Sequence, residues 1–173
     1  MLKNIDPVLS PQLLQVLRSM GHGDDLCLVD ANFPAESVAG HRPLIRLDGV
    51  SMRQAANAIF SVLPLDTFVD FPMCRMEVVG HPLELPEVQV EVQAMARVHY
   101  GDDLVLNALE RFNFYDAARK AFAVVATGDA RPYGCFLIKK GVIFTPTKHA
   151  VGAGSVVSTL ESLKKSQAKS GVA

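Results

Sequence analysis

Apolar positions recur along the chain with two alternating periods, and their order sets the fold class. Ser10 is placed to cap a helix with Pro11 at its first position. Leu13, Leu14, Val16, Leu17 and Met20 then form a wide apolar stripe that Gly21 stops. Leu26-Cys27-Leu28-Val29 is apolar at every position, as a strand covered on both faces would be, and it ends at Asp30. Leu44-Ile45-Arg46-Leu47 predicts a second strand, and Ser51-Met52-Arg53-Gln54 has the form of a capping box opening a helix to about Val62. Met76-Glu77-Val78-Val79 predicts a third strand. Pro86-Glu87 begins a helix to about Tyr100, with Val88, Val92, Met95 and Ala96 at helical spacing. A short helix over 114–120 leads into a strand at 121–126, and Phe136-Leu137-Ile138 is a last strand beyond a Tyr133-Gly134 turn. Val156, Val157, Leu160 and Leu163 predict one amphipathic helix from Ser155 onward, ahead of a polar tail.

This order predicts an α/β fold of three layers, α/β/α, with a mostly parallel central sheet and helices on both faces. A single domain is expected over residues 1–150, with the C-terminal helix and polar tail over 151–173. Ligands of such sheets bind outside the carboxyl ends of strands, which is where Asp30 stands. Neither a glycine-rich dinucleotide fingerprint nor a phosphate loop ending in Gly-Lys-Ser occurs, so the site must work with side chains.

Composition narrows the partners. The net charge is −1 and the 17 basic residues are dispersed apart from Lys164, Lys165 and Lys169, which argues against nucleic acid. A mean hydropathy of +0.21 is high for a monomer of this size and is read as a subunit interface, although a well-filled α/β core would give a similar composition. No apolar run approaches the roughly 20 residues of a bilayer span, so no membrane partner is expected. The N-terminus lacks a secretory signal, and Cys27, Cys74 and Cys135, odd in number and far apart, are expected to be reduced thiols in a cytoplasmic protein. His22, His41, His81, His99 and His149 lack metal-ligand spacing, so no metal is expected.

Two segments concentrate polar chemistry. One is Met20-Gly21-His22-Gly23-Asp24-Asp25, followed past the apolar run by Asp30-Ala31-Asn32-Phe33-Pro34-Ala35. The other is Arg111-Phe112-Asn113-Phe114-Tyr115, then Thr127-Gly128-Asp129-Ala130-Arg131-Pro132-Tyr133-Gly134-Cys135 and Lys139-Lys140-Gly141. Each residue has a structural alternative. His22 can sit at a helix C-terminus or beside Asp24 and Asp25, Asp30 and Tyr133 can be turn residues, and Arg111 can be a surface ion-pair partner. Lys139-Lys140 reads as the exposed end of a strand, with the two side chains on opposite faces.

In order and spacing these segments resemble the RbsD/FucU family, most closely its fucose branch. The likeness runs from Met1-Leu2-Lys3 to about Val142 and includes Lys120-Ala121-Phe122-Ala123 as well as the segments above. The resemblance implies an RbsD-like fold and a sugar mutarotase interconverting the α and β anomers of L-fucose or a related monosaccharide, with no cofactor. It implies His22 as proton donor, Asp30 and Arg111 as sugar contacts, and Tyr133-Gly134 as the start of a Tyr-Gly-Asn sugar-binding segment. Tyr133 is the second proton-transfer candidate and Tyr115 a lesser one. Cys135 departs from that segment, because a thiol replaces an amide that both donates and accepts, though a backbone contact can survive. The resemblance further implies a homo-oligomer, a decamer with sites near subunit contacts. The chemistry suits these residues: opening a hemiacetal needs a proton given to the ring oxygen and one taken from the anomeric hydroxyl, and histidine, with an ordinary pKa of about 6.5, does either near neutrality. Two alternatives share the site, a D-ribose pyranase and a non-catalytic monosaccharide-binding or transport-accessory protein.

Overall fold

The first helix, α1 (Pro11–Ser19), forms where the sequence places it: the Ser10 hydroxyl accepts from the Leu13 amide at 3.2 Å. The computed structural model describes residues 2–144. After α1 come β1 (Asp25–Val29), α2 (Ala35–Ala39), β2 (Leu44–Leu47), α3 (Met52–Phe60), β3 (Met73–Met76), α4 (Glu87–Tyr100), β4 (Asn107–Leu109), α5 (Arg111–Ala118), β5 (Ala123–Thr127) and β6 (Phe136–Lys139). The Ser51 capping box closes in both directions, with Gln54 N donating to Ser51 Oγ at 3.3 Å and Ser51 N to Gln54 Oε1 at 3.1 Å. The helix and polar tail expected over 151–173 lie outside the described residues.

The strands form one sheet in the order β2-β5-β1-β6-β3-β4. Neighbours pair in parallel except at β6, which runs antiparallel to both β1 and β3, so the sheet is mixed but mostly parallel. The reversal follows from the short link between β5 and β6. A parallel return needs a crossover of a dozen or more residues, and 128–135 is shorter than that. The link therefore crosses the carboxyl end of β1 and enters β6 from the same edge.

Side chains alternate between two cores. Leu26 and Leu28 of β1, Ala123 and Val125 of β5, and Phe136 and Ile138 of β6 pack with α1, α3 and α4. Cys27 and Val29, Val124 and Ala126, and Leu137 pack with α2 and α5. The result is three layers, helices on both faces of the sheet, as the continuous apolar strands require.

Some elements differ from expectation. The third strand lies at Met73–Met76, not 76–79, because pairing with β6 and β4 selects it while Val78 and Val79 enter a turn that closes at Gly80, φ +78°. The short edge strand β4 and the five-residue α2, which has no side-chain cap, leave no pattern long enough to read. Helix α5 starts three residues before the expected 114, because the Glu110 carboxylate caps it by accepting from Phe112 N at 2.7 Å and Asn113 N at 3.2 Å. Lys139 and Lys140 are half-buried and bonded, a correction to the exposed strand end. Lys139 Nζ reaches Asp25 Oδ1 at 2.9 Å, and Lys140 Nζ reaches the α1-terminal carbonyls of Leu17 and Met20 at 2.7 and 2.6 Å. Gly141 is required next, since a β-carbon there would overlap the Leu65 carbonyl.

Asp129 anchors the β5–β6 link. Its carboxylate accepts from Met52 N at the start of α3 (3.1 Å) and from the Arg131 side chain (2.8 and 3.0 Å), and Arg131 also pairs with Glu91 at 2.8 Å. The Arg131 bond chiefly holds the Asp129 carboxyl down at about 2. A carboxyl depressed in the folded state stabilises above its unfolded value of about 3.9 and loses that contribution as pH falls through about 2. Asp129→Asn is thus expected to remove roughly 1–2 kcal/mol at pH 7, after allowance for a partly exposed Arg131, and to flatten the loss of stability between about pH 4 and pH 2. Urea unfolding at pH 7 and pH 3 checks this.

Candidate active site

Asp30, the first residue beyond β1, is only 3 % exposed. Its Oδ1 accepts from Asn32 N at 2.9 Å, and its Oδ2 accepts from Gly134 N at 2.9 Å and from the Cys135 thiol at 3.4 Å. The carboxylate is thereby fixed by the link that crosses above it. Within that link Tyr133 adopts φ +63°, a left-handed conformation that costs a non-glycine residue on the order of 1 kcal/mol. It is held at both ends: its carbonyl accepts from Gln89 Nε2 at 2.8 Å and its hydroxyl accepts from Val79 N at 3.4 Å.

Arg111 arrives from the next strand end, as the first residue of α5 after β4. Its guanidinium lies 4.7 Å from the centroid of the exposed Phe112 ring, a cation–π contact. Tyr115, one turn on, stacks on Phe33 with centroids 5.3 Å apart. Asp30, Arg111, Tyr115, Tyr133 and Cys135 line one cavity of about 210 Å³, with Phe33 and Met76 as apolar wall. Four of the expected site residues therefore converge, and the lesser candidate Tyr115 joins them. Gly134 contributes differently: its amide is turned to Asp30, and an added β-carbon would sit 3.3 Å from that of Asp30. Burial, reinforced by the Asp30 charge, pushes the Cys135 thiol well up, so it is a protonated donor to the carboxylate and not a nucleophile.

His22 is elsewhere. It precedes β1, at the sheet edge opposite Asp30, and at about 3.3 Å per residue the strand alone holds them more than roughly 13 Å apart. Neither structural alternative holds for it, since Lys140 takes the α1 carbonyls, Asp25 pairs with Lys139, and Asp24 accepts from Gly21 N at 2.7 Å. Instead the His22 ring, 45 % exposed, meets Asp66 Oδ1 through Nε2 at 3.1 Å and stands edge-on to Phe68 at 5.3 Å. Asp66 is buried, and the Phe68 amide at 3.0 Å, then the His22 ring, hold its carboxyl below the usual carboxylate range. A half-exposed imidazole oriented by a buried carboxylate is an acid–base group with an open face. Asp66 also lines a cleft of about 440 Å³ with His99, Tyr100 and Leu104. A cleft of about 450 Å³ between Leu14, Leu17, Val62 and Leu63 is larger than the Asp30 cavity but apolar, and its Lys140 is engaged with carbonyls. Convergent polar groups, not volume, mark the site.

Asp66 and Gln89 are the residues that sequence reading missed. Each acts across a long stretch of chain, Asp66 on a ring 44 positions away and Gln89 on a carbonyl 44 positions away, and nothing local to either marks it.

Known proteins match this chain over nearly all the described residues. The model of the RbsD / FucU transport protein family matches residues 3–143. A fucose mutarotase of Homo sapiens is 44% identical over 147 residues, 82% of this chain and 94% of that protein. An L-fucose mutarotase of Actinobacillus pleuropneumoniae is 42% identical over 148 residues, 86% of this chain and 100% of the other. The crystal structure of the fucose mutarotase from Streptococcus pneumoniae in complex with L-fucose superposes with a TM-score of 0.76 at 38% identity, covering 83% of this chain and all of that one, 100%.

Proposed function

This chain belongs to the RbsD / FucU transport protein family, and on that premise we propose that it is a mutarotase interconverting the α and β anomers of L-fucose or a related monosaccharide. The observation that carries the reading is the convergence of Asp30, Arg111 and Tyr133 on one small cavity at the carboxyl edge of the sheet.

The roles follow from unused hydrogen-bonding capacity. An ionised carboxylate offers about four lone-pair sites, and Asp30 has three donors on it, which leaves one to accept a sugar hydroxyl. Arg111 presents donors only and holds a second hydroxyl. The Tyr133 oxygen accepts from Val79 N, which leaves one lone pair and its own proton to exchange with a sugar. In the forward half-reaction an acid protonates the ring oxygen, a base takes the anomeric hydroxyl proton, and the bond between the anomeric carbon and the ring oxygen breaks. Rotation of the aldehyde and the reverse transfers close the other anomer. His22 is the acid and Tyr133 the second proton-transfer group.

Because His22 stands at the far edge, the complete site uses the His22 edge of one copy and the Asp30 edge of another. Apolar side chains exposed at both edges support this assembly, Val69 and Phe71 beside the first and Val79 and Leu83 beside the second. The assembly is a homo-oligomer, a decamer, in the cytoplasm, where the free thiols of Cys27, Cys74 and Cys135 stay reduced. No helix among the described residues is long and apolar enough to cross a membrane.

Saturation-transfer NMR on L-fucose and D-ribose tests the activity: exchange above the spontaneous rate supports it, binding without exchange refutes it, and preference for pyranose–furanose conversion of ribose makes it a pyranase. The shared site has its own test. His22→Ala and Asp30→Asn chains, each nearly inactive alone, are expected to recover about a quarter of wild-type activity when co-expressed in equal amounts, since random pairing reunites an intact His22 with an intact Asp30 in that fraction of sites. No recovery would place both groups in one copy.

A further inference from the structure

We propose that Gln89 and Arg75 form a buried positioning pair for Tyr133, a claim that rests on the reading of Tyr133 as a proton-transfer group. Gln89, on α4, is wholly buried at 0% exposure, and its side-chain hydrogen bonds run to residues around the site. Its Nε2 donates to Tyr133 O and to Met76 O, both at 2.8 Å, and its Oε1 accepts from Arg75 Nη1 at 3.2 Å. Only this orientation of the amide satisfies all three partners, since two are carbonyls and the third a guanidinium. Met76 lines the same cavity, so one side chain ties α4 to two of its walls.

Arg75, in β3 and 7% exposed, extends the device. Its Nη2 donates to Pro82 O at 2.9 Å and its Nη1 reaches Glu84 O at 3.5 Å, so it pins the loop that carries Val79. Val79 N in turn meets the Tyr133 hydroxyl. The pair thus controls both ends of the tyrosine: Gln89 clamps the strained backbone and Arg75 anchors the loop whose amide orients the phenol. Neither side chain lines the cavity itself. Fully satisfied buried networks of this kind specify one geometry where a looser core would allow several.

Gln89→Met removes the three bonds with little change in volume. With Tyr133 present, kcat/KM for anomer exchange is expected to fall about 10- to 100-fold, mainly in kcat because Asp30 and Arg111 still hold the sugar. In a Tyr133→Phe background the same change is expected to cost no more than about twofold, since the phenol it would misplace is gone. Equal losses in the two backgrounds would reduce Gln89 to packing and overturn the proposal, as would no loss in either. Arg75→Lys, which keeps the charge and loses the fork, gives the same pattern more weakly and serves if Gln89→Met does not fold. A readout independent of activity uses the chain's 3 tyrosines, Tyr100, Tyr115 and Tyr133, labelled with 3-fluorotyrosine. Gln89→Met should shift or broaden the Tyr133 ¹⁹F resonance and leave that of Tyr100 in place. An unmoved Tyr133 signal overturns the proposal even if the wild type exchanges no sugar, an outcome that would separately refute the mutarotase reading.

Discussion

Replacing His22 with alanine is expected to lower catalysed anomer exchange by about 10² to 10⁴ in kcat, the usual contribution of a positioned acid or base. KM should change little, because the proposed site assigns the sugar hydroxyls to Asp30 and Arg111 at the opposite edge. The loss should not come from unfolding. The ring is 45% exposed, and without it Asp66 still accepts from Phe68 N. A thermal midpoint within a few degrees of wild type is the control, and saturation-transfer NMR reads the rate. Exchange at the wild-type rate in His22→Ala would remove histidine from the mechanism and leave Tyr133 as the proton carrier.

Asp30→Asn should show the largest combined effect on binding and stability. The carboxylate receives three donors, so turning either oxygen into an amide N–H sets donor against donor in a buried place. Leaving a buried polar group unpaired costs about 1–3 kcal/mol, and bonds to a charged group are worth about 1.5–3 kcal/mol. A net loss of roughly 2–4 kcal/mol is expected, about 5–15 °C in Tm for a domain of this size. The Tyr133–Cys135 turn loosens with it, so sugar affinity should fall on the order of 10- to 100-fold. Differential scanning calorimetry and a sugar titration followed by NMR check the two parts. A Tm within about 1 °C of wild type would mean that the link is held without Asp30.

Features coded within one or two turns of chain were legible in the sequence. Ser10 before Pro11, the Ser51–Gln54 box and the unbroken apolar run of β1 all name their elements, because caps and burial on both faces act locally. The third strand is not legible at its true position because Val78 and Val79 look more strand-like than Cys74 and Arg75. The buried Arg75 guanidinium is satisfied there by Gln89 and by the Pro82 and Glu84 carbonyls, all of which come from later in the chain. Asp30 was legible as a polar residue ending an apolar strand. Arg111 and Tyr133 were singled out by resemblance, and the short β5–β6 link explains why Tyr133 meets Asp30. Asp66 and Gln89 were not legible, since each gains meaning only when the sheet brings distant segments together.

The placement of the imidazole and the carboxylate on opposite edges of one sheet has a consequence for counting. Copies joined head to tail form a heterologous contact, which makes a ring when the rotation closes and an open filament when it does not. If the site is shared between copies as proposed, a filament ends in one idle histidine and one idle aspartate, while a ring wastes neither. On that proposal turnover per polypeptide should rise with assembly and level off at closure, so that dilution below the association range is expected to lower it.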